Sequence, residues 1–441
     1  MTLFRNSGHG GRIVYMAQTG KIQAHMAAIA EYLLAAVFIT LGGTMYQYTA
    51  PLGGYLSKIC MAVIAVAVIA CFFLKRPYKD KSCFLRGIII TAVICVYLAV
   101  FALINPVNVK SYLVQVCQAA ALCVYVFICC GKDRIPGALT RYSKLITAIA
   151  LISLVCWIWF SLIRTMPPTG KVDSTWYSTF YTKPVSTFYY VYFEPQGIKF
   201  FGHVFVRNCS IFTEAPMFAW HLLIALMTEL FISRKLSWLR TCILCAALIS
   251  TFSTMGYIFG LGAVILRLVL ALVRSRRYRN MRRKVKIAAW IIVAVLVVAA
   301  AVISLVLLKE KLVTYSGDTR MEDFKAGFLG WMDNFWTGAG FGNRETIFIH
   351  RTVFSQSGFS NGIMEVAAEG GVYLLICFVG PFVFGFIDAL IRKDGGLAIF
   401  AVLVFVMASI TSAQYTCLMY FLQLFMLLGI MTIKKRGTQQ Q

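Results

Sequence analysis

The sequence predicts an all-α polytopic membrane protein with about twelve transmembrane helices and two long extracytoplasmic loops. Three observations predict it: composition, the spacing of the apolar runs, and the placement of the basic residues between them. Of 441 residues, 60% are hydrophobic and only 13% charged, with a mean hydropathy of +0.77. An ordinary soluble domain carries about a quarter charged residues, so that class is excluded. The formal charge of +25 invites a nucleic-acid partner. Lys and Arg nevertheless lie between apolar runs, mostly on alternate sides, which is the pattern of membrane topology. No nucleic acid is expected.

A helix needs about 20 apolar residues to cross a bilayer. Runs that satisfy this lie near 27–46, 55–74, 87–104, 111–130, 145–163, 212–232, 237–252, 255–273, 287–308, 371–391, 396–412 and 415–433. The stretch from Thr241 to Val273 is broken only by Ser250-Thr-Phe-Ser-Thr-Met-Gly256. Thirty-three residues in one helix would far exceed the hydrocarbon thickness, so this break predicts a tight turn between two spans. Nearly all of the fourteen cysteines fall within apolar runs, where they serve as packing residues. The pair Cys242 and Cys245 has no second pair to complete a zinc site.

Orientation follows from the charges. The segments 1–26, 75–86, 131–144, 233–240, 274–286, 392–394 and 434–441 hold 28 of the 42 Lys and Arg residues, against 12 on the other side. Both termini are therefore expected in the cytoplasm, in a multi-pass protein of the cytoplasmic membrane. The implied organisation is a tail at 1–26, spans within 27–163, an external loop at 164–211, spans within 212–308, an external loop with short helices at 309–370, spans within 371–433 and a tail at 434–441.

The most informative stretch is Arg207-Asn-Cys-Ser-Ile-Phe-Thr-Glu-Ala-Pro-Met-Phe-Ala-Trp220, which brings an arginine and a glutamate to the mouth of an apolar helix. Charge at that depth is costly, so Glu214 is a functional candidate, with Arg207 as its nearest partner. Thr213 suits the N-cap and Pro216 the first turn. The helix start then favours the ionised form of Glu214. Simple capping and neutralisation of a helix mouth explains the pair equally well.

The first external loop is densely aromatic, from Trp176 and Tyr177 through Phe188, Tyr189, Tyr190, Tyr192 and Phe193. Such faces suit sugar rings, with Trp176 the binding candidate, and they equally suit an interfacial belt. The second loop carries Asp318, Arg320, Asp323, Asp333, Arg344, His350 and Arg351, a mixed charge that reads as a folded external element. Within it, Trp336-Thr-Gly-Ala-Gly-Phe-Gly342 is a glycine-rich turn whose amides, Gly340 among them, could approach an anion. It is not a phosphate-binding loop that follows a strand. Ser360 or Asn361 is placed to cap a short helix in which Glu365 and Glu369 lie one turn apart. A surface helix with both acids toward water is the simpler reading, more so for Glu365.

Taken in order, these pieces resemble the bacterial O-antigen polymerase and ligase superfamily, which includes capsular and exopolysaccharide polymerases. The resemblance runs over roughly 200–375. It rests on Arg207 to Phe218, the Thr251-Phe-Ser-Thr-Met-Gly-Tyr257 turn, Asp318-Thr-Arg320 through Gly342, and Ser360-Asn361 to Gly371. Three positions depart from the family pattern: Ser360 stands where its ligases place histidine, Thr254 where many members have arginine, and Ala215 splits a Glu-Pro pair. The missing histidine favours a polymerase over a ligase. The resemblance implies a glycosyltransferase-C-like fold, a prenyl-diphosphate-linked oligosaccharide as substrate at the outer membrane face, and a flippase and chain-length regulator as pathway partners. No metal or other cofactor is implied, and the external loops carry no HExxH, DxD or Cys/His cluster. Arg207 and Arg320, then Arg344 and Arg351, are the expected cations for a diphosphate. Glu214, then Glu369 and His350, are the candidate bases. Asn361, Gly340 and Trp176 complete the expected substrate contacts. A ligase and a lipid-linked oligosaccharide transporter remain the alternatives.

Overall fold

The computed structural model describes residues 7–49, 52–176, 182–200, 203–274, 315–351, 361–411 and 415–435, with the isolated positions 283, 285–287, 291 and 359. The chain is mostly helical. In order, α1 spans Ser7–Thr40, α2 Leu52–Lys75, α3 Lys81–Ile104, α4 Val109–Cys123, α5 Gly137–Cys156, α6 Ala215–Met227, α7 Trp238–Ser250 and α8 Thr254–Arg274. Then follow α9 at Tyr315–Asp333, α10 at Glu345–Phe348, α11 at Gly362–Ile391, α12 at Gly395–Ser409 and α13 at Cys417–Leu427. Wider π turns extend α4 over Val124–Cys129, α5 over Trp157–Leu162 and α6 over Thr228–Ile232.

Among the described residues, eight helices are long and apolar enough to cross a membrane, which makes this a membrane protein by length and composition. Three shorter apolar helices, α7, α12 and α13, coincide with three further expected spans. The expected span at 287–308 lies, but for positions 287 and 291, outside the described residues. The N-terminal segment expected as a tail is already helical from Ser7 and runs without a break into the first span.

The bundle is arranged around α6. Its span, Ala215–Ile232, is 89% buried, against 50% or less in the other seven long spans. A helix apolar on all sides belongs in the centre, and α5, α7 and α8 pack around it. Helix α1 packs on α2 and α5, while α11 packs on α12 and α13. All fourteen cysteines are unbridged thiols, many of them buried, as expected for packing residues.

The segment 170–206 departs from the otherwise helical pattern. There β1 (Gly170–Ser174), β2 (Lys183–Phe188) and β3 (Tyr192–Glu194) form an antiparallel sheet in that order, and β4 (Gly197–Phe200) pairs with β5 (His203–Val206). The cause is local: β-branched and aromatic residues alternate, and Val172, Val185 and Phe193 bury one face against Met45. The aromatics divide accordingly. Phe188 stacks on Phe160 with centroids 4.4 Å apart, and Tyr192 and Phe193 are buried, whereas Tyr189 and Tyr190 stand exposed at the turn. Tyr177, Phe180 and Tyr181 lie outside the described residues.

The predicted turn between α7 and α8 is present, with Phe252 in the left-handed region at φ 49°. Helix α11 bends where its sequence changes from amphipathic to apolar: Gly371 has φ 58° and ψ −160°, so a short helical segment meets the long span at a break.

Candidate functional site

The N-terminus of α6 is where Glu214 sits, and Glu214 itself is the N-cap. Thr213, expected in that role, instead donates its hydroxyl to Gly43 O at 3.1 Å and ties α6 to the end of α1. Arg207 and Glu214 do not form a direct ion pair. They share Gln196, whose Oε1 accepts from Arg207 Nη1 at 3.3 Å and from the Ala215 amide at 3.2 Å, while its Nε2 donates to Glu214 Oε2 at 3.5 Å. Gln196 follows β3 in a segment where no spacing rule points to it. Sequence reading therefore missed it.

The remaining contacts of Arg207 explain why the α7–α8 turn lies beside it. Its Nε donates to Thr251 O at 2.9 Å and its Nη2 to Phe252 O at 3.1 Å, so the guanidinium satisfies carbonyls left over at the end of α7. Next to it, Asn208 Nδ2 donates to Ser250 Oγ at 2.9 Å. Three of the five N–H bonds of a guanidinium are thereby used, and two are left for a ligand. Burial lowers the pKa of Arg207 below the ordinary arginine value, yet arginine stays charged in proteins.

Burial also raises the pKa of Glu214 above the ordinary carboxylate value, against the opposing pull of Arg207, the Gln196 hydrogen bond and Arg320. Desolvation therefore outweighs these neighbouring groups. Arg320, on α9, is near enough to act on Glu214, is exposed, and makes no salt bridge among the described residues. On the same helix, Asp323 pairs with Arg351.

Tyr48 joins this group to a second one. Burial raises the pKa of its phenol, with Arg344 lowering it and Glu214 raising it, so its phenol feels the charges of both groups. Trp176 packs on Tyr48 edge to face, with centroids 4.6 Å apart, and the Thr175 amide donates to Tyr48 O at 2.9 Å. Trp176 is thus held at the margin of the site by the β1 end. Tyr48 carries no sequence signal of its own, since it follows the first span in an aromatic stretch.

In the second group, Glu365 and Glu369 are both about 1% exposed, which overturns the reading of a surface helix with its acids toward water. Arg344 pairs with Glu365, and its Nε lies 3.9 Å from Glu369 Oε1. Burial works against the charge on Arg344, but the two carboxylates outweigh it and raise its pKa. The glycine-rich turn meets the acids through its backbone. Gly342 N donates to Glu369 Oε2 at 3.0 Å, Gly340 N to Glu369 O at 2.9 Å and Ala339 N to Ala368 O at 2.8 Å. Of these amides only that of Gly342 meets an anion, the chain's own Glu369 carboxylate; the other two donate to main-chain carbonyls.

The other expected contacts are placed as follows. Asn361 caps α11, its side chain accepting from Met364 N at 3.3 Å, while Ser360 lies outside the described residues. His350 Nε2 lies 2.6 Å from Asp333 Oδ2 in a partly exposed pair. Arg351, with 4% of its side chain exposed, is an internal cation of the α9–α10 element and faces Asp323, not the site.

No family model matches the chain, and no curated protein or solved structure does.

Proposed function

We propose that the chain is a metal-independent membrane glycosyltransferase that joins prenyl-diphosphate-linked oligosaccharide repeat units at the outer face of the cytoplasmic membrane. The observation that carries this reading is one buried carboxylate, Glu214, joined through Gln196 to Arg207, with Arg320, exposed and in no salt bridge among the described residues, near enough to lower its pKa. That set matches the two needs of the reaction. The acceptor hydroxyl requires a base whose pKa lies toward neutrality, and the leaving diphosphate requires cations where its charge develops.

In the proposed step, the acceptor sugar hydroxyl attacks the anomeric carbon of the donor. Its proton passes to the Glu214 carboxylate as the new C–O bond forms. The bond from the anomeric carbon to the diphosphate oxygen breaks, and its electron pair leaves with the prenyl diphosphate. Arg320 faces that negative charge, assisted by the two remaining N–H bonds of Arg207 and by Arg344. Gln196 holds Glu214 and Arg207 in register, and Trp176 with Tyr48 supplies an aromatic wall for a sugar ring. Glu369 serves as an anchor for the loop that carries Arg344, not as the base, because a backbone amide already binds its carboxylate.

The test is made in proteoliposomes containing a lipid-diphosphate-linked repeat unit. A ladder of longer lipid-linked products supports polymerisation. Transfer of intact glycan to another acceptor without a ladder supports the ligase, and lipid movement across the bilayer with no new glycosidic bond supports the transporter.

A further inference from the structure

At the opposite end of α6, about 27 Å along the helix axis from Glu214 by the rise per residue, the bundle opens into a second polar cavity. It has a volume of about 540 Å³ and lies between the start of α5, the π turn after α6 and the Ser233–Arg240 connection. Six basic and two acidic side chains line it. Both acids are engaged: Glu229 takes Arg240 at 3.1 Å and Ser143 Oγ at 3.0 Å, and Asp133 takes Lys75 at 3.1 Å. Lys132 pairs with Asp80 at 2.9 Å and Arg134 with Asp394. That leaves Lys144, Arg234 and Lys235, which make no salt bridge among the described residues. Beside them, at the first turn of α7, Trp238 and Leu239 are 68% and 72% exposed.

We propose that this cavity holds the headgroup of an anionic phospholipid. Its phosphate lies among Lys144, Arg234 and Lys235, and its acyl chains run beside Trp238 and Leu239. The paired side chains form walls of fixed charge, and the three remaining cations give the cavity a net positive potential at the end of apolar helices, where a headgroup resides. A tryptophan and a leucine exposed beside those cations match the junction of headgroup and hydrocarbon. A soluble phosphate would satisfy the cations and leave that apolar edge uncovered. The inference does not depend on the transferase reading.

The experiment places the full chain in nanodiscs of phosphatidylcholine with a minor fraction of phosphatidylglycerol and counts retained lipids by native mass spectrometry. Wild type is expected to hold phosphatidylglycerol at least tenfold over phosphatidylcholine. The triple variant Lys144→Gln, Arg234→Gln, Lys235→Gln is expected to lose that preference. A control with the same charge loss on exposed lysines elsewhere, Lys58→Gln, Lys110→Gln, Lys171→Gln, is expected to keep it, as is the charge-preserving Lys144→Arg, Lys235→Arg variant, which guards against misfolding. Equal retention in the cavity variant and the control would overturn the proposal. So would displacement of phosphatidylglycerol by millimolar inorganic phosphate, which would mark a site for the free anion.

Discussion

The Gly342 amide donates to the Glu369 carboxylate at 3.0 Å, and this contact locks the glycine-rich turn onto the break in α11. The lock requires glycine at specific points. Gly338 has φ 67° and a Cβ there would come within 2.4 Å of the Glu369 backbone; Gly371 has φ 58° and would meet the Trp336 backbone at 2.4 Å. Gly342 also has positive φ, but its nearest obstacle is Asn108 Nδ2 at 3.4 Å.

A ranking of alanine variants follows. Gly338→Ala and Gly371→Ala combine left-handed strain with backbone overlap and are expected to lower stability by about 2–4 kcal/mol, against about 1–2 kcal/mol for Gly342→Ala. Thermal unfolding in detergent micelles checks the order, which an equal loss for Gly338→Ala and Gly342→Ala would contradict.

The Asp323–Arg351 pair is buried on both sides, with 1% and 4% side-chain exposure. Removing one partner breaks a buried ion pair, so Asp323→Ala is expected to destabilise the α9–α10 element by about 3–5 kcal/mol. Limited proteolysis of the segment around α9 should accelerate. Arg351→Ala should behave alike, raising protease sensitivity without a selective change in KM.

Tyr142 donates its hydroxyl to His221 Nδ1 at 2.7 Å, and His221 Nε2 is 2.8 Å from Gly42 O, all of it buried. With the tautomer protonated on Nε2, every polar atom of the imidazole is satisfied, which marks a packing joint of α1, α5 and α6. Tyr142→Phe leaves Nδ1 unpaired and is expected to cost about 1–3 kcal/mol in stability while sparing turnover of the folded fraction. Loss of turnover at unchanged stability would contradict that role.

The pH dependence follows from Glu214, whose pKa burial raises above 4.5. The proposed base acts as the carboxylate, so activity should fall as pH drops through that raised value, giving an acid limb above the range of an exposed glutamate. Stability carries the opposite sign: an acid whose folded pKa is raised supports the fold while protonated and loses that contribution as pH rises through the folded value. Glu214→Gln should flatten the stability trend and abolish activity. An unchanged acid limb in a Glu214→Asp variant of altered burial would point to another titrating group.

Much of the scaffold was legible in the sequence because a bilayer imposes a length and an apolar composition on every span, and the Ser250–Gly256 break obeyed the same rule. The strands of 170–206 were hidden within an aromatic loop, since their alternation runs over only three to six residues. For the site, Arg207 and Glu214 were legible as charges at a helix mouth, and Arg320 as one charge of the second long loop. Gln196 and Tyr48 were not, because a neutral residue has no signal until the fold places it between two charges. Burial of Glu365 and Glu369 was missed for the converse reason: their partners, Arg344 and the Gly342 amide, lie more than twenty residues away.

The most direct measurement is single-turnover transfer in proteoliposomes with a saturating lipid-diphosphate-linked repeat unit, comparing wild type with Glu214→Gln, Arg320→Gln and Gln196→Ala. With a general base contributing roughly 10²–10⁴-fold, Glu214→Gln should lose at least a hundredfold in rate with unchanged folding. Arg320→Gln should fall by a similar factor and Gln196→Ala by about tenfold, its effect acting through the other two. Wild-type rates in the folded Glu214→Gln and Arg320→Gln variants would contradict the assignment of this site.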